Sequence, residues 1–323
     1  MTDLILHHFD QSPFSEKVRL ILGFKDLAWR SVKVPIMLPK PDVVALTGGY
    51  RRTPFLQIGA DIYCDSALMC RVIDEVAPQP PLYPPAATGM QHVLAQWADV
   101  TLFWAAIPYT MQPASVSHLF PEATPELLKA LAADRAAMTA GMRRPTLVDA
   151  AAQLASYFAW LESLLAAGER CLLGAQPCIA DFSVAQSLWF IRLAPPVATV
   201  LAPFSKLLGW YERVVALGHG RPDPLSSGDA IAIAAKTGAH AATRVEPGLG
   251  FEAGAEVTVS ATDYAADLVP GRLVGLTSNE VVLERRDERA GTVHVHFPRI
   301  GYQIKKASQE GFESRLSKPW PRS

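Results

Sequence analysis

The spacing of hydrophobic positions divides the chain into three regions. Leu4 to Phe9 is a short apolar run of strand length. From Pro13 to Leu22 the spacing turns helical, with Val18, Leu20, Ile21 and Leu22 as the buried face and Glu16, Lys17 and Arg19 on the wet side. A second strand at Trp29 to Val34 completes a β-α-β start, and residues 55–64 form a hairpin turning at Gly59-Ala60-Asp61. The run Pro78-Gln79-Pro80-Pro81-Leu82-Tyr83-Pro84-Pro85 can neither continue a helix nor join a central strand, so residues 78–88 read as a linker after an α/β domain of residues 1–77.

Helical spacing dominates residues 89–240. Helices are predicted over Thr88 to Ala106, Pro125 to Ala140, Leu147 to Ala167, Asp181 to Leu193 and Phe204 to Leu217, with Pro108 expected to kink or end the first. A short helix near Ile231 carries Ser226 and Asp229 at capping-box spacing. After Gly254 the period falls to two. Ala255 to Ser260, Arg272 to Thr277, Glu280 to Arg285 and Thr292 to Phe297 alternate apolar and polar residues, which predicts a small antiparallel β-barrel or sandwich over residues 245–323. The Gly-rich run at 247–250 suggests that this unit folds separately and is dispensable for ligand binding.

Composition narrows the function classes. The 323 residues carry 30 basic and 31 acidic side chains, so a net charge of −1 gives no general attraction for nucleic acid or anionic membrane. No apolar run is long enough to cross a bilayer, and a cytoplasmic address is expected. Cys64, Cys70, Cys171 and Cys178 form no C-x-x-C pair and no zinc spacing, which suits a reducing compartment. His294 and His296 share one strand face; two solvated histidines are expected there, and no metal.

The candidate chemistry sits at Ser12-Pro13-Phe14-Ser15, where the first strand runs into a helix. Unpaired backbone N–H groups and the positive end of the helix dipole stabilise an anion there, and the Ser12 hydroxyl can hydrogen-bond a thiolate or oxyanion or simply cap the helix; the two roles are compatible. Ser15 stands three residues on, so the turn has no dithiol and cannot run disulfide exchange. His7 and His8 alternate across the strand, so at most one faces the site.

This turn resembles that of the cytosolic glutathione transferases, and three further features share the resemblance. Gly49-Tyr50-Arg51-Arg52-Thr53-Pro54 stands where the family carries a cis-proline, Tyr63-Cys64-Asp65-Ser66 is similar to its acidic-Ser pair, and Cys178-Ile179-Ala180-Asp181 resembles the capping box of its helical domain, with Cys where Ser or Thr is usual. The resemblance covers about residues 1–220. It implies a thioredoxin-like first domain and an all-α second domain, glutathione as co-substrate, and a homodimer active in detoxification. Arg52, Thr53, Pro54, Asp65 and Ser66 would hold glutathione. Ser12 would orient its thiolate, and His8, which stands where several classes carry a catalytic tyrosine, is a second catalytic candidate. A small apolar electrophile would lie against Trp97, Phe103, Trp104, Tyr109 and Met111. The alternatives are a non-catalytic scaffold with this fold and a glutathione-dependent isomerase or lyase.

Overall fold

A computed structural model describes residues 3–307; the end of the predicted C-terminal unit, residues 308–323, lies outside the described residues. The first region runs β1 (Ile5–His8), α1 (Pro13–Phe24), β2 (Ala28–Lys33), α2 (Pro41–Thr47), β3 (Phe55–Ile58), β4 (Asp61–Cys64) and α3 (Ser66–Val76). β1 pairs parallel to β2 and antiparallel to β3, and β3 pairs antiparallel to β4, the thioredoxin-like arrangement. Pro13 at the first helical position and Ser12 as N-cap start α1 as expected.

The helical region comprises α4 (Met90–Trp97), a π-helical turn (Ala98–Leu102), α5 (Phe103–Thr110), α6 (Pro113–Leu119), α7 (Pro125–Met138), α8 (Leu147–Leu164), α9 (Ile179–Arg192), α10 (Pro195–Ala198) and α11 (Ser205–Val215). Pro108 lies inside α5, which ends two residues later. Cys178 does not break the capping arrangement of α9, because the Asp181 carboxylate carries it. Its oxygens accept from the backbone N–H of Cys178 at 2.9 Å, the N–H of Leu172 at 2.9 Å and the indole of Trp210 at 2.8 Å. One buried acid thus ties three segments together.

The last part runs β5 (Arg221–Pro224), α12 (Ser227–Lys236), β6 (Glu256–Ala261), β7 (Val269–Leu276), β8 (Glu280–Asp287), β9 (Gly291–Pro298) and β10 (Tyr302–Lys306). The predicted antiparallel unit is present, in the order β10-β6-β7-β8-β9. Only residues 299–301 link β9 to β10, so those ends lie within about 14 Å. A flat five-stranded sheet would hold the two strands about 19 Å apart, so the unit must curl toward a small open barrel.

It does not stand apart, however. β9 pairs in parallel with β4, with Asp61 opposite His294 and Tyr63 opposite His296, and joins the strands of the described residues into one ten-stranded sheet, β10-β6-β7-β8-β9-β4-β3-β1-β2-β5. Period-two spacing reports strands but not their outer partner, and this pairing is therefore invisible in the sequence. α12 likewise leaves the helical region: Ala230, Ile231 and Ala234 pack with α2 and β9 on the sheet, and the Ala230 carbonyl accepts from buried Gln57 at 2.8 Å.

Two expectations about polar residues need correction. Glu16, Lys17 and Arg19 are buried, because α1 is covered by α3 and α9. They persist there as ion pairs, Arg19 with Glu16 at 2.7 Å and Lys17 with Asp99 at 2.6 Å. His294 and His296 are not solvated either; they are only 8% and 2% exposed, since His294 stacks on His240 and His296 lies against Tyr63 between Asp61 and Glu280.

Cutting the chain before residue 245 would uncover the β4 edge and apolar Ile62, so the truncated protein is now expected to aggregate. Soluble, monodisperse protein on size-exclusion chromatography would refute this. A second prediction concerns His7 and His8, whose burial holds them neutral, with pKa values lowered to about 4 and about 3. Below pH 6.5 the unfolded chain takes up protons that these rings refuse, so stability is fully present above that pH and falls toward pH 4. Urea midpoints between pH 7 and 5 should drop less steeply in His8→Gln than in the parent protein.

Candidate active site

Two cavities meet at the turn between α2 and β3. Thr53 and Pro54 are joined by a cis peptide at this turn. The first cavity, of about 560 Å³, is lined by Arg52, Thr53, Pro54, Asp65 and Ser66 together with Lys17 and Tyr50. Asp65 is the N-cap of α3, with a carboxylate oxygen accepting from the Ala67 N–H at 2.9 Å. The Ser66 hydroxyl accepts from the Lys17 ammonium at 3.4 Å, and Asp99 holds that buried lysine protonated against the effect of desolvation. This end of the cavity therefore offers a carboxylate and a hydroxyl side by side, with the Lys17 ammonium buried behind Ser66 and paired with Asp99 at 2.6 Å.

The second cavity, of about 780 Å³, lies between the sheet and the helices. Ser12, Phe14, Phe103, Trp104, Ile107 and Met111 form much of its wall. Lys40, Arg51, Arg52, Arg135 and Arg144 also line it, without a carboxylate among the described lining residues. Burial, then the neighbouring Arg135, lowers the Lys40 pKa to about 7, and its ammonium donates to the Thr53 hydroxyl at 3.1 Å. Phe14, Arg52, Thr53 and Tyr264 border both cavities.

Ser12 lies at their junction, 3% exposed. Its oxygen accepts from the Ser15 N–H at 3.2 Å, and its hydroxyl donates to the Thr53 carbonyl at 3.4 Å. The cap bond is local, whereas the second bond is long and weak. That donor can be redirected to an anion at the α1 N-terminus without losing the cap.

His8 is not part of this arrangement. Its Nδ1 accepts from Arg19 at 3.1 Å and its Nε2 donates to Ser31 at 2.8 Å, so both ring nitrogens are used in the core and the ring lines neither cavity. Tyr109 is also absent from the lining and packs among the helices, as does Trp97, which meets Tyr157 edge-on. Along a helix only one face reaches the cleft, and Trp104, Ile107 and Met111 occupy it at three- and four-residue spacing.

On sequence alone the barrel is expected to be dispensable for ligand binding, with Tyr302 and Phe297 as its first candidates should it shape the cleft; the structure brings Tyr264 and Tyr302 to the site. Arg52 donates to the Asp263 carboxylate and the Tyr264 carbonyl, with its guanidinium 3.8 Å from the Tyr264 ring centre. Tyr264 meets Trp104 edge-on, while the next residue, Ala265, donates its N–H to the Met138 carbonyl at 2.7 Å. The 262–268 loop thus bridges to α7 across the cleft. From β10, the Tyr302 hydroxyl donates to Asp65 at 3.2 Å; burial raises the Tyr302 pKa well above the usual range and keeps this proton in place. No local pattern marks Tyr264 or Tyr302 as partners of Arg52 and Asp65, because those residues are more than two hundred positions away.

Comparison with known proteins agrees with this architecture. Residues 6–81 match the glutathione S-transferase N-terminal domain and residues 126–213 its C-terminal domain. A GST-like protein from Pseudomonas syringae superposes with a TM-score of 0.79 at 40% identity, over 95% of this chain and all of that one. Glutathione S-transferase III in its apo form (22% identity, TM-score 0.51, 66% of this chain and 92% of that one) and the β-etherase LigF of Sphingobium (16%, 0.51, 66% and 95%) share the fold but leave a third of this chain unmatched. No curated protein matches. With both domain families matched in order around a cleft of this form, and a relative aligned along nearly its whole length, the chain belongs to the glutathione S-transferase family.

Proposed function

We propose that the protein is a glutathione transferase in which Ser12 stabilises the glutathione thiolate for attack on a small apolar electrophile. The observation that carries this reading is the meeting, at Phe14, Arg52 and Thr53, of the cavity that holds Asp65 and Ser66 with the cavity that holds Ser12 at the start of α1. Glutathione would place its γ-glutamyl end at Asp65, Ser66 and Lys17, run past Thr53 and Pro54, and bring its sulfur to the N-terminus of α1. The helix dipole and the Ser12 hydroxyl then stabilise the thiolate; a shift of one pKa unit, worth about 1.4 kcal/mol, lies within reach of the two together. Ser12 itself stays protonated. The sulfur attacks the electrophile held against Phe103, Trp104 and Met111.

A second reading has one observation in its favour. Arg52 and Asp65 already have partners within the chain, Asp263 and Tyr302, as they would in a non-catalytic scaffold that had given up the ligand. Binding of glutathione separates the two.

Asp65→Asn keeps a capping side chain but removes the charge opposite the ligand's ammonium group. It should weaken glutathione binding by about 1.5–3 kcal/mol, roughly ten- to a hundredfold, in a calorimetric titration. Unchanged affinity would take Asp65 out of the site, and absence of binding by the parent protein would favour the scaffold. For the chemistry, Ser12→Ala should lower turnover of a halogenated nitroarene by about ten- to a thousandfold while leaving glutathione affinity nearly intact. Full activity in this variant would reassign the thiolate contact.

A further inference from the structure

The seam between the sheet and the barrel gathers residues that the glutathione site does not use. Asp61 opens β4, His294 lies directly opposite it on β9, and His240 follows α12 in the connection to β6. One oxygen of Asp61, Oδ1, is approached by Nδ1 of His240 at 3.6 Å and Nδ1 of His294 at 3.9 Å. Neither nitrogen has a hydrogen-bond partner among the described residues, although both are buried. The two rings are stacked, with centres 3.7 Å apart and planes 14° apart, so one of them must turn out of the stack to bring both nitrogen lone pairs onto a single ion. Two imidazole nitrogens and a carboxylate oxygen converge within 4.8 Å of one another.

A divalent ion seated among these three atoms would satisfy all of them. Both contacts are too long for hydrogen bonds. Donor atoms bound to a tetrahedral Zn²⁺ at about 2.0–2.1 Å lie about 3.3 Å apart, so the separations from Asp61 exceed the bound geometry by less than about an ångström. The surroundings are those of a metal site as well. Glu284 faces Nε2 of His294 at 3.7 Å, which favours the tautomer that leaves Nδ1 free to ligate. The Ala241 N–H pins the other Asp61 oxygen at 2.9 Å. His296 holds Oδ1 at 2.9 Å and is itself held by Glu280 at 2.6 Å, and the carboxylate oxygen keeps a lone pair for an ion.

We propose that Asp61, His240 and His294 bind one divalent ion of the Zn²⁺ type. Two imidazoles and one carboxylate suit a borderline metal rather than Ca²⁺ or Mg²⁺, which prefer all-oxygen shells. The ion joins β4, β9 and the segment after α12, and so clamps the barrel to the sheet at the one place where their strands pair. Its role is structural and independent of the thiolate chemistry.

The test uses untagged full-length protein, stripped with chelator and titrated with ZnCl₂ in a calorimeter and with CoCl₂ in the visible range. One equivalent should bind, Co²⁺ should give the strong d–d absorption of a four-coordinate site, and Zn²⁺ should raise the thermal midpoint. His240→Ala, in a connecting segment, should weaken Zn²⁺ binding by about a hundredfold and abolish the midpoint shift, and Glu284→Gln should weaken it by about tenfold. Absence of stoichiometric binding to the parent protein overturns the proposal. So does binding that is unchanged in His240→Ala.

Discussion

The parallel pairing of β4 with β9 is the constraint on which the rest of the molecule depends. Without it β4 would be an edge strand with a row of unpaired backbone groups, and the five-stranded unit would be a separate barrel on a tether. With it, apolar residues from both sides of the seam, such as Phe55 and Ile62 on one and Leu273, Val295 and Phe297 on the other, merge into a single core beneath the sheet. The pairing also sets where the barrel's loops fall. The 262–268 loop and β10 are carried over the cleft, beside Arg52 and Asp65.

The cleft is consequently enclosed by three parts of the chain rather than two. The first region supplies the anion-stabilising helix start and the charged grip, the helices supply the apolar wall, and the barrel supplies Tyr264 and Tyr302. Their contacts hold Arg52 and Asp65 in fixed positions before any ligand arrives, which reduces the ordering cost of binding and also sets a competition that a ligand must win. Tyr302 adds a neutral donor to Asp65 and leaves its charge in place, so an ammonium group can still be recognised. Arg52 is the more committed of the two, since it is stacked on Tyr264 and paired with Asp263.

Burial of charge is the second theme. Lys17, Glu16, Arg19 and Asp181 are all nearly inaccessible, and each is satisfied by partners from another segment. Such groups contribute little net stability over apolar replacements but make alternative packings costly, because any other arrangement leaves a bare charge in the core. The joint between α1, the π turn and α9 is specified in this way by Lys17, Asp99 and Gln186.

Much of this was legible in the amino-acid sequence. Periodicity determined the β-α-β start, the helical middle and the antiparallel strands at the end, because those patterns record which face of each element is buried. The Ser12-Pro13 turn, the Thr53-Pro54 turn and the Asp65-Ser66 pair could be read locally, since caps and turns depend on neighbours a few residues away. Tertiary structure alone decided the rest. It drew His8 into the core, where Arg19 and Ser31 use both its nitrogens, and it turned Tyr109 away from the cleft. It also buried Lys17 beneath Ser66, and brought Tyr264, Tyr302, His240 and His294 to partners far along the chain. The physical reason is the same in each case: a period states that a face is covered but not by what, and the partner is chosen by the pairing of whole strands and helices.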